Sequence, residues 1–122
     1  MKEERGQIAG NQIISEPFTL WGSIGGEVIV VDGGKMYVRG AIYGLLSVEK
    51  GGRVHILGNV SGDLRVARGA KVIVSGIIGG DCTNNGGRLY VDETARILGK
   101  VRTRSGETKI DSKAQVGGRE NY

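Results

Sequence analysis

The chain has 122 residues, 23 of them glycine, and a formal net charge of +4 at pH 7. One domain is the natural count at this length, and a hydrophobic content of 39% with one phenylalanine and one tryptophan suits a narrow core of small aliphatic side chains. The glycine content disfavours helices, and the single cysteine excludes an internal disulfide.

The first predicted element is an N-terminal segment, residues 1–19, that precedes the repetitive part of the chain. It contains no continuous apolar stretch, so we expect neither a signal peptide nor a membrane span. Its apolar residues include Ile13, Ile14 and Phe18. We expect this segment to fold over the domain that follows and to cap it.

Glycines in the next segment recur every eighteen residues. One set is Gly22, Gly40, Gly58 and Gly76, and a second set is Gly26, Gly44, Gly62 and Gly80. Self-similarity at a short fixed period is typical of a solenoid, in which each repeat buries its apolar side by stacking on its neighbours.

Pairs of aliphatic residues recur with the same period between these glycines. The pairs are Val28 and Val30, Leu46 and Val48, Leu64 and Val66 in one series, and Met36 and Val38, Val54 and Ile56, Val72 and Val74 in the other. A separation of two residues places both side chains on one face of a strand. The pattern predicts an all-β fold over residues 20–117, a triangular single-stranded parallel β-helix with about eighteen residues per coil. Residues 118–122 are expected to form a flexible C-terminal tail.

Three short units in these coils share one pattern: GSIGGEV, GNVSGDL and GIIGGDC. With runs such as GNVSGDLRVARGAKVIVSG, they resemble the repeats of bactofilins, the bacterial polymer-forming cytoskeletal proteins. The resemblance covers about Trp21 to Val116. It implies a right-handed β-helix that can associate head to tail. Bactofilins usually carry flexible, often proline-rich tails, whereas this chain has a single proline.

A second resemblance follows from the aliphatic residue at every sixth position, such as Ile24, Val30 and Met36. This spacing is similar to that of the left-handed hexapeptide-repeat acyltransferases, which implies an enzyme with a catalytic histidine near a loop. The only histidine here, His55, lies inside a repeat, so we favour the first resemblance.

The residues that carry most enzyme chemistry are too few to build an active site. His55 has no second histidine as a partner, which excludes a zinc site built on several imidazoles. Cys82 replaces an aliphatic residue and is expected to pack in the core, and Asn84 is expected to cap backbone groups at a corner. Asp63 and Asp81 repeat beside a glycine turn but lack the loop that calcium needs. We predict no catalytic, metal or cofactor site.

The best candidate for a binding surface is formed by the outward positions of the third strand of each coil. These positions stack four cations and, beside them, a stripe of aromatic and aliphatic residues of the kind that protein interfaces enrich. Like charges directly opposite one another are destabilising by about 0.5 kcal/mol, so an anionic partner would relieve the repulsion. The predicted protein-binding residues are Lys35, Tyr37, Arg39, Arg53, His55, Lys71, Arg88, Tyr90 and Arg102.

Two hypotheses for function remain, since regular short coils offer no cleft for an enzyme. We favour a non-enzymatic interaction protein that binds another protein through this face, and an immunity-type inhibitor (antitoxin) of a bacterial toxin is one such class. The alternative is a bactofilin-like, self-assembling cytoskeletal scaffold. Thirteen carboxylates disfavour nucleic acid as the partner, and the lone cysteine suits the reducing cytoplasm.

Overall fold

The computed structural model describes residues 2–121, and Met1 and Tyr122, at the outer limits of the predicted cap and tail, lie outside the described residues. The described residues form seventeen strands and contain no helix. The strands are β1 (Lys2–Glu4), β2 (Gln7–Ile8), β3 (Gln12–Ile14), β4 (Pro17–Leu20), β5 (Ser23–Ile24), β6 (Val28–Val30), β7 (Lys35–Val38), β8 (Ala41–Ile42), β9 (Leu46–Val48), β10 (Arg53–Ile56), β11 (Asn59–Val60), β12 (Leu64–Val66), β13 (Lys71–Val74), β14 (Ile77–Ile78), β15 (Cys82–Val91), β16 (Arg96–Ile110) and β17 (Gln115–Asn121).

The strands stack in parallel into three sheets, and the chain completes about seven turns with a spacing of about eighteen residues. The first sheet contains β2, β5, β8, β11 and β14, followed by residues 96–97 and 115–116. The second contains β3, β6, β9 and β12, followed by residues 82–84, 101–103 and 119–121. The third contains β1, β4, β7, β10 and β13, followed by residues 88–91 and 107–110. The predicted parallel β-solenoid is confirmed, and its right-handed sense stays a prediction.

The core runs along the middle of the triangle and is built from the inward positions of all three sheets. Val48, Val66 and Val72 belong to it, with 0%, 0% and 1% of their surface exposed. Equivalent residues of successive coils pair directly, as Val54 does with Val72, so like side chains stack on like. Complete burial of one such aliphatic side chain contributes about 1.5–3 kcal/mol, and the stack is therefore the main source of stability.

At the corner between the third and first sheets, the backbones of successive coils approach too closely for a side chain. A Cβ atom on Gly40 would lie 1.8 Å from the Gly22 carbonyl oxygen. A Cβ atom on Gly58 or Gly76 would lie 2.1 Å from the carbonyl oxygen of the glycine one coil earlier. Backbone hydrogen bonds close the same corner, such as the 2.9 Å bond from the Asn59 N–H to the Gly40 carbonyl. The glycine period in the sequence thus reflects close packing between coils.

The N-terminal segment, which we expected to fold over the solenoid, differs from that expectation because its strands form a complete coil. Lys2 pairs in parallel with Phe18, and Gln12 pairs with Val28, each sixteen residues apart. This spacing is two residues shorter than the repeat, so the eighteen-residue pattern does not reveal the coil.

This first coil carries charged side chains in columns that belong to the core in later coils. Lys2 stands in the column of Phe18, and Glu4 stands in the column of Leu20. Lys2 also forms an ion pair with Glu16 at the surface. Charged groups in these columns oppose burial by a further apolar coil, so the coil closes this end of the stack by its composition.

The residues expected to form a flexible tail, 118–122, begin inside β17. Arg119 pairs with Val101 of β16 and so places a charge in a core column. Glu120 holds the strand through an ion pair with Lys100 at 3.2 Å. Backbone pairing needs no apolar side chain, which explains why a polar segment continues the sheet.

Gly58→Ala should destabilise the fold, because its methyl group would meet the Gly40 carbonyl oxygen at 2.1 Å. We expect the free energy of unfolding to fall by at least about 2 kcal/mol, as in overpacked cores. The control is Gly25→Ala, whose Cβ atom would meet only the Ile8 carbonyl oxygen, at 3.7 Å. This variant should lower the free energy of unfolding by less than about 0.5 kcal/mol. Urea denaturation followed by circular dichroism measures both. Equal losses would contradict the close approach at the corner.

Candidate protein-binding face

Four cations stand one above another on the outward side of the third sheet. Arg53 of β10 pairs with Lys35 of β7 and with Lys71 of β13, and Lys71 pairs with Arg88 of β15. We call these four residues the basic column. All four are exposed, and within residues 2–121 none of them forms an ion pair. Their backbones are separated by the strand spacing of about 4.8 Å.

The core decides which side chains this face presents. In β10, Val54 and Ile56 are buried, Arg53 is exposed and His55 is half-buried. Strands β7 and β13 repeat this alternation. Because successive residues of a strand point to opposite faces, burial of the aliphatic residues forces the basic column outward.

A second column runs beside the basic column, two residues further along each strand. We call Tyr37, His55, Ile73 and Tyr90 the central column. The rings of Tyr37 and His55 are tilted by 50° with their centroids 6.2 Å apart. Lys35 Nζ lies 5.7 Å from the centroid of the Tyr37 ring, a distance at which a cation is attracted to a ring face. A shallow depression of about 160 Å³ lies over the two columns. The columns thus form one basic and aromatic patch.

Arg39 borders this patch and contacts a tryptophan. Its guanidinium carbon lies 5.0 Å from the Trp21 ring centroid, and that of Arg5 lies at the same distance from the same ring. The Trp21 ring is therefore held by two guanidinium groups. This stack places Arg39 at the corner between the third and first sheets.

Arg102, which we predicted to belong to this face, lies on the second sheet instead. It pairs with Thr83, and its guanidinium forms ion pairs with Asp81 at 3.0 Å and with Glu120 at 2.8 Å. The expected placement on the third sheet was wrong because Arg102 follows Thr83, which lies five residues before Arg88 in its coil. The residue that follows Arg88 is Glu107. Lys100 lies on the second sheet as well.

The residue that extends the central column is Lys109, which sequence reasoning missed. It pairs with Tyr90, and its Nζ lies 5.9 Å from the Tyr90 ring centroid. Glu107 follows Arg88 in the same way and ends the basic column with a negative charge. The additional residues of this coil lie in the turn after Val91. The irregular spacing of residues 92–95 in the sequence is therefore the signal that indicates the shift of Lys109 and Glu107.

A hydrogen-bonded chain that sequence reasoning also missed holds His55 in place. Its Nε2 atom lies 2.8 Å from Ser75 Oγ, and the Ser75 hydroxyl donates to Asp92 Oδ2. The backbone N–H and the hydroxyl of Thr94 donate to Asp92 Oδ1 at 2.9 and 2.6 Å. These contacts run diagonally between coils, so spacing along the sequence does not predict them.

The directions of these hydrogen bonds differ from those around a nucleophilic serine. Burial opposes ionisation of the Asp92 carboxyl, but hydrogen bonds from Ser75 and Thr94 and the charge interaction with His55 outweigh it and lower its pKa. The ionised Asp92 carboxylate accepts the hydrogen bond that the Ser75 hydroxyl donates. The Ser75 oxygen therefore accepts a hydrogen bond from His55 Nε2. A nucleophilic serine instead directs its proton toward an imidazole base. The arrangement therefore positions the His55 ring on the face.

Asn84 caps backbone groups at the corner between the second and third sheets, which confirms the prediction for this residue. It is completely buried. Its Nδ2 donates to the carbonyl oxygens of Gly87 and Glu107, and its Oδ1 accepts from the N–H groups of Gly86 and Gly87. Both polar atoms of the amide are engaged within the protein, so Asn84 serves the fold.

Cys82 lies in a core column of the second sheet, paired with Leu64. Burial, with contributions from Asp81 and Asp63, raises the pKa of its thiol to about 12. A thiol that stays protonated is a poor nucleophile and a poor metal ligand.

Residues 2–121 contain no group of three or more histidine, cysteine, aspartate or glutamate side chains placed to hold a metal ion. No helix in that range has the length and hydropathy needed to cross a membrane.

No protein-family model matches the chain, and comparisons with curated proteins and with solved structures find no match. The resemblance to bactofilins therefore rests on the repeat pattern of the sequence alone. The β-solenoid agrees with the fold that this resemblance implies, but one fold hosts many functions.

The raised pKa of Cys82 predicts a pH dependence of stability. Below the ordinary thiol pKa of 9.0, Cys82 is protonated in the folded and unfolded states alike; up to about pH 12, only the unfolded chain loses the proton. Deprotonation therefore favours unfolding as the pH rises through this range. The free energy of unfolding should fall further in the wild type than in Cys82→Val when urea denaturation is compared at about pH 8 and about pH 10.5. Parallel declines would contradict a buried, protonated thiol.

Proposed function

We propose that this protein is a non-enzymatic β-solenoid that binds an acidic surface of another protein through the basic and central columns. One class of partner that we propose is a bacterial toxin domain, which would make the chain an immunity-type inhibitor. We place this activity in the cytoplasm, because the single cysteine is unpaired and buried.

The observation that carries the proposal is the basic column, in which Arg88 alone has an oppositely charged neighbour along the column, Glu107. Its four exposed cations are stacked in register, and within the described range none of them is neutralised by an ion pair. Like charges paired across strands repel each other by about 0.5 kcal/mol. An acidic partner converts that repulsion into attraction and accelerates association.

The central column supplies the apolar contact that the cations of the basic column do not provide. An exposed ion pair contributes only about 0.2–1 kcal/mol, so affinity requires apolar contact beside the cations. Tyr37, Tyr90 and the His55 ring provide rings that are half-buried and held in place by neighbouring groups. Aromatic and arginine side chains in the centre of an interface contribute most of the binding energy.

The proposal that the protein is not an enzyme is supported by the same geometry. The depressions over the central column measure only about 160 Å³ and 190 Å³. A larger groove of about 550 Å³ runs beside the basic column, and half of the residues that line it are glycines. The Ser75 hydroxyl points its proton at Asp92 and not at His55. The side chains on the face are thus arranged for contact with a flat surface.

The double variant Arg53→Glu with Lys71→Glu should weaken partner binding at least about 100-fold, because two attractive contacts become repulsive. To identify the partner, a photo-crosslinking residue at Ile73 captures proteins in the cell, and mass spectrometry locates the crosslinked segment. Calorimetry with the purified partner then compares wild type and variant.

The control variant is Arg65→Glu with Arg68→Glu, which makes the same charge change away from the third sheet. Arg65 lies on the second sheet and Arg68 in an adjoining turn, and both are exposed. We expect its dissociation constant to stay within about 3-fold of the wild type, as for charges outside an interface. Equal weakening by both double variants would place the interface elsewhere.

A second candidate function is bactofilin-like self-assembly, which one observation favours. Residues 107–110, the last strand of the third sheet, pair with β15 on one side only within the described chain. A cavity of about 170 Å³ opens beside this edge, lined in part by Val101 and Ile110. An open strand edge invites pairing with another chain. The charges of Lys2 and Glu4 in core columns at the opposite end oppose such stacking.

Light scattering tests self-assembly directly. We expect one small species whose mass does not change from about 1 µM to about 1 mM, because charged core columns resist stacking. Growth of long particles that Ile110→Glu abolishes, and that Ile13→Glu on an outward position leaves unchanged, would establish the scaffold function instead.

A further inference from the structure

We infer that the segment bound by this face is an acidic amphipathic α-helix lying along the solenoid axis. The inference rests on the proposed function and adds the shape and residue pattern of the partner. The geometry of the two columns and the distribution of charge along the face support it.

The spacing of the basic column matches an α-helix. Its four cations lie about 4.8 Å apart, a span of about 14 Å. On a helix, acidic residues at positions i, i+3, i+7 and i+10 are separated by about 4.5, 6 and 4.5 Å along the axis, so the four of them span about 15 Å. Long lysine and arginine side chains absorb a difference of about 1 Å.

An extended segment fits the same column less well. Residues on one face of a strand are about 6.6 Å apart, so four acidic residues span about 20 Å. With the first acidic residue opposite Lys35, the fourth would lie opposite Glu107, about 19 Å away, where the charge is negative. The spacing therefore favours a helix over a strand along this axis.

The central column accounts for the second stripe of the helix. It lies two residues from the basic column, which is about 6.6 Å across the sheet. A helix whose acidic stripe contacts Arg53 and Lys71 turns its neighbouring positions toward His55 and Ile73. Apolar side chains at those positions would cover the half-buried rings, as in other helix-binding grooves.

Charges of both signs lie at the two ends of the face. The basic column ends in Glu107, whereas the central column begins at Glu3 and ends in Lys109. The dipole of a bound helix therefore meets mixed charge at each end, and the four cations between these ends match the acidic stripe in either direction of the helix.

Three peptides of about 20 residues test the inference: two stapled helices of identical composition and one control that differs from them by two prolines. The first is a stapled helix with glutamates at positions i, i+3, i+7 and i+10 beside a leucine stripe. The second is a stapled helix with the same glutamates distributed around its circumference. The third contains two central prolines and cannot form a helix. Fluorescence anisotropy at about 0.1 M salt measures their affinities for the full chain.

We expect the striped helix to bind at least about 10-fold more tightly than either of the other peptides. Its binding should be lost in Arg53→Glu with Lys71→Glu and retained in Arg65→Glu with Arg68→Glu. A nitroxide at one end of the peptide should broaden nuclear magnetic resonance signals near Lys35 or near Glu107, because the helix lies along the solenoid axis.

Each contrary result has a defined meaning. Equal affinity of all three peptides, or tighter binding of the proline peptide, overturns the helix while the proposed acidic interface stands. Displacement of the striped helix by an equimolar single-stranded oligothymidine overturns it in favour of a nucleic-acid strand. A crosslinked natural partner whose affinity is unaffected by Arg53→Glu with Lys71→Glu overturns the proposed function and the helix together.

Discussion

The close approach of successive backbones at the glycine corner is the constraint on which the rest of the structure depends. With a carbonyl oxygen 1.8 Å from the place where a Cβ atom of Gly40 would lie, the coils stack only if glycine recurs at this corner. This stacking aligns every strand with its counterpart in the next coil, as it aligns Val54 with Val72. Alignment of the inward residues builds the core, and alignment of the outward residues builds the columns of the face.

The basic column is a consequence of this alignment. Four cations distributed around an irregular surface could turn away from one another, but here the paired backbones hold Arg53 between Lys35 and Lys71. The core stabilises this repulsive arrangement, because burial of a single aliphatic side chain contributes about 1.5–3 kcal/mol, several times the repulsion of one cation pair. A stable scaffold therefore presents a set of charges whose electrostatic energy improves when an acidic partner binds.

The sequence predicts the features that depend on the eighteen-residue period and misses those that do not. The parallel solenoid, the buried place of Cys82 and the stacking of Arg53 on Lys71 all follow from that period. The first coil and the position of Lys109 do not, because the spacing there is sixteen or nineteen residues. No such pattern predicts the hydrogen bonds that join His55, Ser75 and Asp92, because they depend on the directions of side chains in different coils.

The register of the outward columns is the central claim, and pyrene fluorescence measures it most directly. Two labelled proteins in a Cys82→Val background are compared, one carrying Arg53→Cys with Lys71→Cys and the other Arg53→Cys with Arg102→Cys. Positions 53 and 71 are paired neighbours on the third sheet, whereas position 102 lies on the second. The account predicts strong excimer emission from the first protein and monomer emission from the second. Excimer emission from the second alone, or from neither, would contradict it.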